Sequence, residues 1–237
     1  MRLSMLALVA ALLAAGGPAL AAPACVRPAA LTPAPVIVPR ADEVVSGVTT
    51  AYYLLALSWT PQWCRSGGAG ASAKEMECGQ AFGFSLHGLW PDGAAKPYPR
   101  FCRPVGALDA STVVEMYCRT PSPKLLQHEW QAHGACGWND PKAYFGQASR
   151  LYDRLVMPRI EAIAPDALTA GAVRAAFVAR NPGLARNQVF VQTDRSDDLT
   201  EVRICYDLKF RPAACPGGTG TPDRVRLHLA PSRTGAF

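Results

Sequence analysis

The stretch AFGFSLHGLW, residues 81–90, decides the fold class, because its large apolar residues alternate with small and polar ones. Phe84 and Leu86 fall on one face of an extended chain, and His87 falls on the opposite face. The pattern predicts a β-strand that buries one face and presents a histidine on the other. Pro91 and the two residues after it predict a turn where this strand ends.

Other segments surround this strand with a mixture of strands and helices. Apolar runs or alternation predict strands at residues 51–60, 188–194, 200–210 and 224–230. Helical spacing predicts helices at residues 111–118, 124–134 and 170–180, and another that starts at Pro141. Strands come first, helices in the middle and strands last. This order predicts an α+β fold: a central, mostly antiparallel sheet with helices packed on it.

The N-terminus has the layout of an export signal. Residues 1–21 combine one charge, a short apolar run and a small-residue end, which predicts a signal peptide cleaved after Ala21. Residues 22–48 are rich in alanine and proline and are expected to form an extended leader. Residues 49–237 are expected to form a single domain. The protein is therefore predicted to be periplasmic or secreted; a lipid anchor at Cys25 is disfavoured by the preceding Pro23 and Ala24, so no stable membrane association is expected.

The eight cysteines predict a disulfide-stapled domain. An even count in an exported chain indicates up to four disulfides. The local pairs are expected to be Cys64–Cys78 and Cys205–Cys215, and Cys136 is expected to pair with Cys102 or Cys118. The absence of any CxxC pair disfavours structural zinc.

The charge balance adds little. The formal net charge is +6 and falls to +5 when residues 1–21, with one arginine and no acid, are removed. A modest basic excess suits a polyanionic partner, but it suits plain solubility equally well.

QHEWQAHGACG, residues 127–137, contains two of the four histidines. His128 and His133 are five residues apart, which is about 140° around an α-helix. A zinc hydrolase helix needs histidines four apart, so this spacing argues against a metal, and no other cofactor is indicated. Glu129 and His133 form the four-residue pair instead, and a carboxylate beside an imidazole suits acid–base chemistry.

Two histidines of opposite protonation state suit the metal-free cleavage of RNA. One imidazole takes the proton of the ribose 2′-OH, and an imidazolium protonates the leaving 5′-oxygen. The substrate supplies the nucleophile, which agrees with the absence of a GxSxG motif.

Two segments of the chain, GFSLHGLWPDG (83–93) and LLQHEWQAHGACG (125–137), resemble the active-site segments of the ribonuclease T2 family of acid endoribonucleases. The segments YYLLALSWTPQWC (52–64) and TEVRICYDLKF (200–210) extend the resemblance over roughly residues 50–215. AYFGQASRLYD (143–153) is most similar to the bacterial periplasmic, ribonuclease I-like members.

The resemblance implies a role for each catalytic candidate. His133 would be the general base and His87 the general acid. His128 would bind phosphate, and Glu129 would help to stabilise the transition state.

Three further positions match residues that bind a nucleobase in the family. Trp90 would stack on the base, Asp92 would hydrogen-bond it, and Tyr98 is the third candidate. The implied activity is cleavage of single-stranded RNA with little base specificity, first to 2′,3′-cyclic phosphates and then to 3′-phosphates. RNA is the only expected partner of a monomeric protein, and an inhibitor protein is left open.

One departure from the family matters. Ala132 stands where the family usually carries a lysine before its last histidine. The expectation is either slower turnover or replacement of that charge by an arginine such as Arg100 or Arg103. Ala132 also keeps an alternative open: a catalytically weak relative that binds RNA or protein and acts as a toxin or signal. His228 is expected on a solvated face.

Overall fold

The computed structural model of the protein describes residues 25–66, 76–79 and 82–231. Its sheet is antiparallel, with the strand order β2–β1–β4–β3. The strands are β1 (Tyr52–Trp59), β2 (Phe84–Asp92), β3 (Val189–Thr193) and β4 (Leu199–Tyr206). This confirms the predicted α+β class. The predicted signal peptide, residues 1–21, lies outside the described residues.

Helices cover one face of the sheet and flank β2. They are α1 (Thr60–Ser66), α2 (Ala110–Met116), α3 (Pro123–Glu129), α4 (Ala135–Gly137), α5 (Pro141–Arg154) and α6 (Ala170–Arg180), and a π-helical segment (Trp130–Gly134) joins α3 to α4. Short 3₁₀ turns lie at Ala41–Glu43, Met76–Gly79, Ile160–Ala162 and Arg186–Gln188. Side-chain oxygens of Asp109, Ser122, Asp140 and Thr169 accept from backbone N–H groups at the starts of α2, α3, α5 and α6. These N-caps fix where each helix begins.

The hydrophobic core lies between the sheet and α5 and α6. Leu55 and Leu57 of β1 are fully buried in it. Burial of each such side chain stabilises the fold by about 1.5–3 kcal/mol. The ring of Phe84 contacts the rings of Trp59 and Phe177 edge-on, with centroids 4.9 and 5.3 Å away. The alternate residues of the same strands point away from this core and are therefore free to build a site.

The predicted strand at residues 224–230 is wrong. The segment makes only isolated bridges, between Thr169 and Arg226 and between Asp198 and His228. Its backbone bonds go to loop ends, as in the bond from the N–H of Leu227 to the carbonyl of Leu168. Alternation alone did not reveal that the segment bonds to loop ends and not to a strand.

Two strand ends also differ from the prediction. β2 continues through Pro91 to Asp92, so the turn begins later. Because β2 is an edge strand, the missing N–H of Pro91 costs no ladder bond. β4 stops at Tyr206, four residues before the predicted end, because Asp207 closes a turn with Arg211.

Four disulfides hold the described chain together. The predicted pairs Cys64–Cys78 and Cys205–Cys215 are confirmed. Cys136 pairs with Cys102, which selects one of the two predicted partners. The fourth disulfide joins Cys25 to Cys118 and so fastens the proline-rich leader to the domain. No helix in the described part of the chain is long and apolar enough to cross a membrane.

The leader also makes specific backbone contacts. The N–H and carbonyl of Ile37 both bond to the side-chain amide of Gln131, at 2.8 and 2.9 Å. Val45 forms an isolated β-bridge with Arg100. The leader therefore braces the back of the π-helical segment and the loop that follows β2, which the sequence did not reveal.

Candidate active site

A β-bulge presents His87 to the cleft. In the pairing of β1 with β2, Ala56 lies opposite Gly88 and Leu57 lies opposite Leu86, so His87 is the extra residue. A bulge adds a residue on one strand and re-aims its side chain. His87 is thereby turned out of the core, in agreement with the predicted face.

A π-helical turn brings His133 beside His128. The N–H of Ala135 bonds to the carbonyl of Trp130, five residues earlier. This wider turn places residues five apart on the same side, and the two imidazole centroids are 6.3 Å apart. The expectation of a 140° separation is therefore wrong. Single π-turns of this kind are frequently found at functional sites.

Glu129 lies at the centre of the site. Its side chain is 1% exposed, Oε2 accepts a 2.7 Å bond from the indole N–H of Trp90, and Oε1 lies 3.4 Å from Nε2 of His87. Gly88 makes room for this carboxylate, because a Cβ there would lie 1.9 Å from Oε2. The predicted pairing of Glu129 with His133 is thus accompanied by a closer contact with His87.

The two candidate catalytic histidines have opposite electrostatic environments. Burial lowers the pKa of His87, but the carboxylates of Glu129 and Glu201 outweigh it and raise this pKa to about 10. Burial also lowers the pKa of His133; Glu129 opposes this, but the nearby cationic groups add to it, and the value falls to about 4. Near neutral pH, His87 is an imidazolium and His133 a neutral imidazole. One can donate a proton and the other can accept one.

The same charges and the same burial also shift the pKa values of Glu129 and His128. Burial raises the pKa of Glu129, but the three histidines outweigh it and lower the value to about 2, so the carboxylate is ionised. Burial is the main cause that lowers the pKa of His128. Nδ1 of His133 is buried without a hydrogen-bond partner among the described residues.

Glu201 and Arg203 of β4 are site residues that the sequence did not reveal. Nδ1 of His87 lies 2.6 Å from Oε2 of Glu201, and Nε of Arg203 donates to Oε1 of Glu201 at 2.5 Å. Ser58 of β1 lies between His87 and Glu201, and its Oγ is 3.3 Å from Nδ1 of His87. Glu201 and Arg203 alternate along β4 with the core residues Val202 and Ile204, but only the strand order brings them to His87.

The three predicted base-contacting residues border the same site. The ring of Trp90 stacks on that of His133, with centroids 5.1 Å apart, and the guanidinium of Arg203 lies 4.8 Å from the Trp90 centroid. Asp92 is 6% exposed, and burial raises its pKa to about 6. Burial raises the pKa of Tyr52, and the neighbouring Asp92 and Tyr98 raise it further.

One cleft of about 370 Å³ collects every predicted site residue. It is lined by His87, Trp90, Asp92, Tyr98, His128, Glu129 and His133, together with Leu54, Pro99, Arg100 and Arg203. Of the two arginines considered as replacements for the absent lysine, Arg100 lines the cleft. Arg103 instead donates to the carbonyl of Trp138 and lies over the ring of Trp130.

The π-turn brings His128 and His133 together, so their five-residue separation no longer argues against a metal. One donor atom each from His128, Glu129 and His133 lies within 4.8 Å of the others. A metal there would compete for Glu129 with Trp90 and His87. The donor set therefore permits a metal: Oε2 of Glu129 is bonded to Trp90, whereas Oε1 faces His87 and has no hydrogen-bond partner among the described residues.

A family model described as the ribonuclease T2 family matches residues 50–215. A probable ribonuclease of Haemophilus influenzae is 31% identical over 176 residues, 69% of this chain and 60% of the relative. The chain thus spans about three fifths of the length of that relative.

Solved structures share the fold at lower identity. Trichomaglin, an S-like ribonuclease, superposes with a TM-score of 0.61 at 20% identity, over 78% of this chain and 100% of its own. RNase NT, crystallised with 5′-AMP, gives a TM-score of 0.53 at 21% identity, over 76% and 98%. These likenesses establish the fold that carries the cleft.

Proposed function

Because the chain belongs to the ribonuclease T2 family, we propose that it is an endoribonuclease that cleaves single-stranded RNA without a metal. The observation that carries the proposal is the pair His87 and His133, whose pKa values are displaced in opposite directions around the buried carboxylate of Glu129. General acid–base catalysis needs one protonated and one neutral group at the same pH.

The first step is an intramolecular transesterification. Neutral His133 accepts the proton of the ribose 2′-OH, the 2′-oxygen bonds to the adjacent phosphorus, and the bond from phosphorus to the 5′-oxygen breaks. His87 donates its proton to that leaving oxygen. The product is a 2′,3′-cyclic phosphate, and DNA is resistant because it lacks the 2′-OH.

The second step reverses the proton transfers. His87 now accepts a proton from water, and the water oxygen bonds to phosphorus. The bond from phosphorus to the 2′-oxygen breaks, and His133 returns a proton to that oxygen, which leaves a 3′-phosphate. The carboxylate of Glu129 offsets the positive charge of the histidines, and His128, which lies beside His133, binds phosphate.

Base contacts are assigned to the outer part of the cleft. Tyr98 is 39% exposed and offers a free ring for stacking, which accepts any base. Asp92 supplies a hydrogen-bonding edge, and Trp90 supplies aromatic surface beside His133. Weak base preference follows, because stacking rather than edge recognition dominates.

Export is proposed together with the activity. Four disulfides suit an oxidising compartment such as the periplasm or the exterior. The protein is proposed to act as a monomer on RNA, with a signal peptide ending at Ala21.

The alternative is a weak relative that binds RNA or protein without efficient cleavage. Ala132 supports it, because the side chain at that position is neutral and fully buried and supplies no charge for the phosphate. A zinc hydrolase is a further alternative, supported by the donor spacing at His128.

A digest separates these alternatives. Mature protein and RNA are incubated with EDTA, and the products are resolved by mass spectrometry. The proposal expects cyclic phosphates from wild type and from the control His228→Ala, whose histidine is largely exposed outside the cleft, and none from His133→Ala. Loss of activity in EDTA would indicate the metal enzyme, and folded but inactive wild type would indicate the binding protein.

A further inference from the structure

Arg100 is a cation in the cleft, and none of the described residues hydrogen-bonds its guanidinium. It lines the cleft with His128 and His133. Its Nε is buried without a hydrogen-bond partner, and the described residues give its guanidinium no ion pair. Buried polar groups are normally satisfied, so an unpaired donor in a cleft indicates a ligand group.

The backbone holds Arg100 in place from two directions. Its N–H and carbonyl both bond to Val45, at 2.9 and 2.7 Å, and the N–H of Phe101 bonds to the carbonyl of Ala132 at 3.0 Å. Phe101 has φ 49°, in the left-handed region that residues with a side chain rarely adopt. Strained backbone of this kind persists only where its surroundings enforce it, and it clusters at functional sites.

The side chain is also positioned by an aromatic ring. The guanidinium carbon lies 5.1 Å from the centroid of Phe101, whose ring contacts that of His128 edge-on at 5.8 Å. The charge of Arg100 reaches both neighbouring histidines, since it adds to burial in lowering the pKa of His128 and of His133.

We propose that Arg100 is a catalytic residue that hydrogen-bonds the non-bridging oxygens of the scissile phosphate. This inference rests on the proposed function. As the 2′-oxygen bonds to phosphorus and the 5′-oxygen departs, the phosphorane gains negative charge on those oxygens. The planar guanidinium donates hydrogen bonds to them and transfers no proton, so His87 and His133 remain the only proton carriers.

Steady-state kinetics with Arg100→Gln, Arg100→Lys and Arg150→Gln test the proposal. Loss of one preorganised donor to a developing oxyanion lowers kcat by about a hundredfold or more, and Arg100→Gln should show this loss. Arg100→Lys should recover part of it, because it keeps the charge. Arg150→Gln removes an equal charge from the exposed face of α5, where Arg150 bonds to Gln147, and should match wild type.

A wild-type measurement keeps the test independent of folding. The Nε–H resonance of Arg100, identified by its absence in Arg100→Lys, should shift when uridine 3′-phosphate saturates the protein. An unmoved resonance, or an Arg100→Gln variant with wild-type kcat, would overturn the assignment. Wild type that cleaves no RNA would instead overturn the proposed function, so the two failures are distinguishable.

Discussion

The substitution Glu201→Gln isolates the carboxylate that keeps His87 protonated. Oε2 of Glu201 lies 2.6 Å from Nδ1 of His87, and the two side chains are 8% and 29% exposed. Glutamine has the same size and keeps a hydrogen-bonding group at this position, so the change removes charge with little change in packing. Glu129 remains as the other anionic neighbour of His87.

The expected effect is a downward shift in the pKa of His87. With both carboxylates the value is about 10. Removing one opposite charge in contact lowers a pKa by about 1–3 units, so the pKa of His87 in the variant should be about 8. A shift of about two units corresponds to about 2.7 kcal/mol of lost interaction with the imidazolium.

The assay is the pH dependence of kcat/KM on a dinucleoside monophosphate between about pH 3 and 11, a range that brackets the pKa values of about 4 and 10 for His133 and His87. The basic limb reports loss of the proton from His87, the general acid, so it should move down by about two units in Glu201→Gln. The acidic limb reports protonation of His133 and should move little. Glu115→Gln, an exposed acid on α2, is the matched control. A folded Glu201→Gln variant with an unmoved basic limb would refute the assignment of His87 as the acid.

Three other predictions concern the framework of the site. Gly88→Ala should lower kcat/KM by about a hundredfold without unfolding the protein, because its Cβ would displace Glu129; the comparison is activity against thermal melting. Replacing Cys102 and Cys136 by serine should reduce the free energy of unfolding in urea by about 4 kcal/mol, since the disulfide closes a loop of 34 residues; an unchanged urea midpoint would contradict it. Ala132→Lys should leave kcat nearly unchanged if the cleft already holds its phosphate-binding cation, whereas a large rise would show that the missing charge limits turnover.

Residue patterns were sufficient for the parts of the site that depend on local periodicity. Alternation along β2 placed His87 opposite the core residue Leu86, and that orientation is observed. Helical spacing also located α6 at its observed bounds, Ala170–Arg180. These elements follow from which side chains must be buried, and the sequence carries that information directly.

Patterns failed where the backbone departs from regular geometry. The β-bulge at His87 and the π-turn before Ala135 each add one residue to a regular element, and neither leaves a periodic signal. The assumption of an ideal α-helix therefore separated His128 from His133, although the protein brings them together. Irregularities of this kind are concentrated at functional sites, where local preference and function compete.

Patterns also failed where partners come from distant strands. Strand β1 separates β2 from β4, so the backbones of His87 and Glu201 are two strand spacings apart, roughly 9–10 Å. They meet because the small side chain of Ser58 lies between them. Neither the strand order nor this gap is encoded in the spacing of residues along the chain.

Cleavage of a DNA oligonucleotide that contains one ribonucleotide tests the central claim most directly. The proposed mechanism predicts a single cut, 3′ of the ribose, in the presence of EDTA, with a 2′,3′-cyclic phosphate on the 5′ fragment. It predicts no cut when that ribose carries a 2′-O-methyl group. Cleavage at deoxynucleotides, or at the 2′-O-methyl position, would contradict it, because the attacking oxygen would then not be the 2′-hydroxyl.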